Sequence, residues 1–220
     1  MQGDFQTAST WDDYAEALAF TGNSLLAPMN QTSTVALDPA FWEEFPGFGD
    51  EGVAAALADC RAYAQEAQDF VAGGGNAVQR ASVEFTKLFV GPPRPATSPW
   101  ETMYGAGAGS DIAGFGEPTF QMQQLLREEG LEVSNENNQY ADHIGIELLL
   151  ASVLAQRAAE ALNELQLEND LEKFRWFAHA HPLAWAGELA AAAEQVAPGG
   201  FIPRMLRLGI ALLNSACHQR

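Results

Sequence analysis

Residues 140–165 read YADHIGIELLLASVLAQRAAEALNEL, and the fold turns on this stretch. Tyr140, Ile144, Leu148, Ala151, Ala155, Ala158 and Leu162 recur at spacings of three and four, which is one face of an α-helix. Ile146, Leu149 and Val153 fall on other faces of the same helix. A helix that is apolar on several sides has to be buried on several sides, so this one is expected to be the longest and the central one. Its apolar run, Ile144 to Ala155, contains Glu147 and is well short of the roughly 20 residues that span a bilayer.

The same period governs the flanking sequence, with hardly any alternation of β-branched residues, so the chain is expected to be all-α, a single bundle of about eight to ten helices. A first helix follows a Ser9 or Thr10 cap and stacks Trp11, Tyr14, Leu18 and Leu25; a short turn covers Asp38 to Phe45. Helices are then expected at 51–72, ending at Gly73-Gly74-Gly75, and at 77–90, ending where Gly91-Pro92-Pro93 cannot continue. Gly91 to Pro99 holds four prolines in nine residues and reads as a semi-rigid hinge loop; a glycine-rich loop at 105–116 follows. Pro118 opens a helix that Gly130 closes, and residues 134–139 form a loop. Beyond the central helix lie three more, 167–178, 182–197 and 201–217. The organisation is an N-terminal helical part (1–90), a hinge and loop (91–116) and a C-terminal helical part (117–220), together one domain.

Composition narrows the function classes. The 220 residues carry 11 basic and 29 acidic side chains, a formal charge of -18 spread over both halves. That field repels a phosphate backbone and anionic lipid, so neither nucleic acid nor stable membrane insertion is expected, whereas a basic peptide is attracted. Cys60 and Cys217 offer at most one bridge, and Cys60 falls on the core face of its helix. Met1 to Thr10 has no Lys or Arg and no apolar core, so it does not read as a secretory signal, and the expected location is the cytoplasm.

Enzymatic signatures fail one by one. The run Gly105-Ala-Gly-Ala-Gly-Ser110 lacks both the lysine of a phosphate loop and the third glycine of a dinucleotide fingerprint. The four histidines form no zincin or di-iron pattern, so no metal and no cofactor is expected. Asp142, His143 and Glu147 cluster at the entry of the most buried helix, where charged groups need partners. An acid/base cluster of a small hydrolase or metal enzyme is one reading of them; an intrahelical hydrogen-bonded set is the plainer one.

The strongest constellation runs from Glu84-Phe-Thr-Lys-Leu-Phe-Val-Gly-Pro-Pro93 to Ser98-Pro-Trp-Glu-Thr-Met-Tyr104. A helix end, a stiff proline loop and a Trp/Tyr turn can set rings around a hollow with Glu84 and Glu101 near its rim. Such a hollow accepts apolar side chains on its walls and arginine at its carboxylates, the chemistry of a peptide groove. A packed loop is the competing reading.

At these residues the chain resembles the TorD/DmsD family of redox-enzyme maturation chaperones. Three blocks carry the resemblance: Glu84 to Pro92 continued by Pro99-Trp100 and Tyr104; Asp142-His143-Ile144-Gly145-Ile146-Glu147-Leu148; and His181-Pro182-Leu183-Ala184-Trp185. It covers about residues 77–215 and departs from the family pattern at Thr102-Met103 and Ala184. The resemblance implies an all-helical cytoplasmic chaperone, not an enzyme. Such a protein binds the twin-arginine signal peptide and apoprotein of a molybdopterin oxidoreductase of the DMSO/TMAO reductase type, and holds back its export until the cofactor is inserted. The alternative within the resemblance is maturation of a non-exported molybdoenzyme subunit of the nitrate reductase type. Carried over by motif, the binding residues are Leu88, Phe89, Pro99, Trp100, Tyr104, Asp142 and His143; charge logic adds Glu84, Glu101 and Glu147. A monomer is expected, with the stiff connector also permitting the domain-swapped dimer seen in the family.

Overall fold

The computed structural model describes residues 2–104, 116–133 and 139–219, with side chains from residue 10 onward. The glycine run at 105–115 and most of the loop at 134–139 lie outside the described residues. Those described form nine α-helices and no strand: α1 (Gln2–Leu26), α2 (Pro39–Glu44), α3 (Glu51–Ala72), α4 (Ala77–Phe85), α5 (Glu117–Glu128), α6 (Ile144–Ala159), α7 (Glu164–Ala180), α8 (Pro182–Val196) and α9 (Phe201–His218).

Local chemistry sets the boundaries. Asp50 and Asn76 cap α3 and α4 by accepting from the Val53 and Gln79 amides, each 2.9 Å away. Pro182 takes the first position of α8, where a missing N–H costs nothing. Three boundaries depart from the sequence reading. α1 starts ahead of Ser9, since no proline interrupts residues 2–8. The short turn at 38–45 is a helix, because the Asp38 carboxylate accepts the Ala40 amide and Pro39 is fixed at a helical φ. The long helix at 140–165 is divided. His143 caps α6 at one end, and at the other the chain leaves the helix at Glu160 and re-enters after Asn163, whose side chain accepts the Gln166 amide at 2.9 Å. Leu162, assigned by periodicity to the buried face, is therefore 89% exposed.

α6 is central as expected, and its main partner is α1, with α7 on another side. The two helices meet at Gly22 and Gly145. A Cβ built on either glycine would stand 2.8 Å from the other's carbonyl oxygen, so only hydrogen fits at this crossing. α9 closes the bundle against α1, α3 and α8. Trp11, Tyr14, Leu18 and Leu25 of α1 are buried, and the Tyr14 hydroxyl pairs with Ser215 of α9 at 2.7 Å. Elements from both sides of the proline loop thus share one core. Cys60 lies in it, and burial pushes its thiol up to about 12, so it is no nucleophile. Among the described residues no helix is long and apolar enough to cross a membrane.

Candidate functional site

The site begins where α4 ends. Residues Thr86–Val90 form a π-helical turn, closed by the Gly91 amide donating to the Thr86 carbonyl at 2.7 Å, and this wider turn points both Leu88 and Phe89 into the core. Gly91 has φ +83°, and a Cβ there would lie 2.1 Å from the Arg94 carbonyl oxygen, so the chain can double back only at glycine. The proline loop then returns along the turn: the Ala96 and Thr97 amides donate to the Lys87 and Leu88 carbonyls at 3.2 and 2.9 Å. What reads in sequence as a semi-rigid hinge is tied to the helix it leaves.

The loop next joins α6. Trp100 and His143 form an isolated antiparallel bridge: the Ile144 amide donates to the Pro99 carbonyl at 2.9 Å, and the Glu101 amide to the Asp142 carbonyl at 3.0 Å. Side chains reinforce the join. The Asp142 carboxylate accepts the Thr102 amide at 3.0 Å, the Thr102 hydroxyl, and the Thr119 hydroxyl at 2.9 Å, so one fully buried carboxylate holds the Trp100 loop and the start of α5 to the start of α6. His143 Nδ1 accepts the Gly145 amide at 3.0 Å, which caps α6 and places the neutral ring's proton on Nε2. Complete burial lowers the His143 pKa to about 3, and its ring lies edge-on to Phe89 and Trp100, with centroids 6.1 and 6.3 Å away.

The third sequence block closes the cluster from α7 and α8. Trp185 donates its indole N–H to Glu147 Oε2 at 3.0 Å, and the Tyr104 ring packs on Trp185 with centroids 5.0 Å apart. The Tyr104 hydroxyl is anchored on the Ser98 carbonyl at 2.8 Å. His181 Nδ1 lies 2.9 Å from Glu101 Oε2, stacked on Phe177. Burial, and next the charge of Glu101, raise the Glu147 pKa well above the carboxylate range. Burial beside the Glu101 charge thus favours the protonated form of Glu147.

Nine of the ten expected site residues converge here, and most of them are buried. Leu88, Phe89, Pro99, Asp142, His143 and Glu147 are buried; Trp100, Glu101 and Tyr104 keep partly exposed faces. Glu84 stands apart. Its carboxylate accepts the Phe201 and Ile202 amides at 3.1 and 2.7 Å, capping α9, and its charged neighbours are Arg204 and Arg80. The side chains of Asp142, His143 and Glu147 bond to separate partners, Thr102 and Thr119, the Gly145 amide, and Trp185, and not to one another, so they assemble no acid/base relay. Among the described residues no group of three or more His, Cys, Asp or Glu is placed to hold a metal ion. Sequence reasoning missed Thr102 and Thr119, which carry no motif signal. It quoted His181 and Trp185 without giving them a role, although a histidine and a tryptophan flanking a helix-opening proline were the available clue.

The family profile described as the nitrate reductase delta subunit matches residues 50–191, more than half of the chain. Among curated proteins, the chain is similar to the chaperone protein TorD of Vibrio cholerae serotype O1 (strain M66-2), 27% identical over 137 residues, 62% of this chain and 60% of that protein. It is 38% identical over 88 residues to the chaperone protein TorD of Aeromonas salmonicida, covering 40% of this chain and 41% of the relative. With the Tat proofreading chaperone DmsD of Salmonella typhi the identity is 33% over 70 residues, 32% of this chain and 33% of the relative. The chain thus spans 60% or less of each of these relatives' length, and all three bear the names of chaperones rather than enzymes. By the match over residues 50–191, which encloses the first two motif blocks and all of the third, the chain belongs to the nitrate reductase delta subunit family, with TorD and DmsD chaperones as its relatives.

Proposed function

We propose that the chain is a maturation chaperone that binds the N-terminal leader of a molybdoenzyme before export, a leader carrying two arginines and an apolar stretch. The observation that carries the reading is the convergence of the three sequence blocks on one cluster, with Glu101 of the loop joined to His181 at 2.9 Å and Glu147 of α6 to Trp185 at 3.0 Å. In this reading the buried members are a scaffold. Asp142, His143 and Glu147 hold the loop rigid so that the partly exposed rings of Trp100 and Tyr104 meet the apolar part of the leader at little entropic cost. The net charge of -18 supplies the attraction for its cationic part.

The test is a calorimetric titration with a synthetic twin-arginine leader. Binding is expected to weaken with added salt, and replacing both arginines by glutamine to weaken it at least about tenfold. Affinity unchanged by either would contradict the charge argument. The family description favours a second reading, in which the client is a nitrate reductase subunit that is not exported. Tighter binding of an N-terminal segment without twin arginines would select it.

A further inference from the structure

The carboxylates that the sequence offered to the leader's arginines are engaged: Glu84 at the start of α9, Glu101 with His181, and Glu147 buried against Trp185. An open groove elsewhere has what those residues lack. Between α1 and α2 lies a cavity of about 430 Å3 lined by Asp13, Glu16, Phe20, Phe41, Glu44 and Phe45, with Ala17 and Pro46. Trp42 sets it up. Its ring is buried and its indole N–H donates to the Ala36 carbonyl at 2.9 Å, so α2 is pinned with Phe41 and Phe45 turned toward α1.

The floor is aromatic and half-open. Phe20 and Phe41 have ring centroids 4.9 Å apart, Phe41 and Phe45 5.6 Å, and Phe20 and Phe45 6.0 Å, yet all three rings stay only partly buried. The rim is three exposed carboxylates, Asp13, Glu16 and Glu44. Among the described residues no ion pair involves any of them, and the nearest pairing in sequence, Arg61 with Glu43, leaves Glu44 out. A purely apolar groove would suit any aliphatic segment; unpaired carboxylates around phenylalanine faces select a cation that is also planar and weakly hydrated. That is a guanidinium, which stacks on rings and pairs with carboxylates at once, where a lysine ammonium does neither as well. A second copy of a chain at -18 would be repelled from this rim.

We infer that the α1–α2 groove docks the arginine-bearing segment of the client leader, with the guanidinium groups over Phe20, Phe41 and Phe45 and within reach of Asp13, Glu16 and Glu44. This deepens the client-binding reading above and rests on it. It also gives a role to a part of the chain that lies ahead of the family match.

The test is the calorimetric titration of the same synthetic leader against three full-length proteins: wild type, a groove variant (Asp13→Asn, Glu16→Gln, Glu44→Gln) and a control variant neutralised on exposed positions elsewhere (Glu66→Gln, Glu168→Gln, Glu172→Gln). The net charge is the same in both variants, and every position is exposed, so both are expected to melt like wild type. The expected result is roughly tenfold weaker binding for the groove variant and less than about twofold for the control. The glutamine-substituted leader should bind wild type and groove variant equally. Equal losses in both variants would assign the effect to the overall field and overturn the groove, as would unchanged binding by the groove variant. If wild type binds no leader at all, the client-binding reading fails first and the groove inference falls with it.

Discussion

Glu101 of the proline-loop exit and His181, the last residue before α8, lie 80 positions apart in sequence and 2.9 Å apart in space. Behind that pair, the fully buried Glu147 feels the charge of Glu101 and accepts the Trp185 indole N–H. The proline-loop exit, α6 and the start of α8 thereby meet around one fully buried carboxyl group. Burial and the Glu101 charge both favour its protonated form, because a second bare carboxylate there would be desolvated and repelled at once.

Stability should therefore decline toward alkaline pH. Unfolded, Glu147 titrates near its ordinary value, about 4.3. Folded, burial and the Glu101 charge raise its pKa well above that. Between the two values the folded chain holds a proton the unfolded chain has lost, so stability is full below the unfolded pKa and falls as pH rises toward the folded one. Glu147→Gln keeps an acceptor for Trp185 and removes the titration. Its melting temperature should fall less than that of wild type between about pH 5 and 8. Identical pH profiles would show that Glu147 is not held protonated. Glu147→Ala leaves the indole N–H without a partner and should cost about 1–3 kcal/mol in urea unfolding.

His143 acts on the acid side. Its folded pKa is about 3, against about 6.5 when unfolded. Below pH ~6.5 the unfolded chain takes up a proton that the folded chain refuses, so stability is lost as pH falls toward 3, by at most about 1.4 kcal/mol per pH unit. His143→Asn retains an N-cap acceptor and should flatten this arm, while His143→Ala should lose about 1 kcal/mol from the missing cap even at neutral pH. An acid arm of unchanged slope in His143→Asn would mean that another group drives acid unfolding.

Asp142 separates structure from charge. Its two oxygens serve Thr102 and Thr119 only, with no cation among the hydrogen-bond partners found for it. Asp142→Asn can still accept from the Thr102 amide and hydroxyl and donate to Thr119, and should cost about 1 kcal/mol in urea unfolding. Asp142→Ala strands buried donors from two segments and should cost about 3 kcal/mol. Equal costs for the two variants would argue that the carboxylate charge, not its acceptor geometry, holds the loop.

The all-helical fold was legible because its evidence is periodic: the spacing of Ile144, Leu148, Ala151 and Ala155 survives in the structure as the buried face of α6. Boundaries marked by breakers were legible too, since Gly73 and Pro182 act through their own backbone. The division between α6 and α7 was not, because Asn163 sits inside an apolar pattern and declares itself only by capping. The site was half legible. Motif spacing brought Trp100, Tyr104, Asp142 and His143 together, but burial is a property of the packed whole, and no pattern could tell that Asp142 faces two threonines. Charge logic placed Glu84 by sequence proximity to the loop, whereas α9, more than a hundred residues later, supplies its partners.

Trp100 tests the central claim most directly, since its ring packs near Tyr140 and His143 while the residue stays partly exposed. The measurement is leader affinity by calorimetry for Trp100→Ala, with the helical circular dichroism of the same sample as control. The account predicts affinity lower by about tenfold with the helical signal intact. Leader binding equal to wild type, or loss of the helical signal together with binding, would contradict it, because Trp100 would then be either a bystander or a core residue.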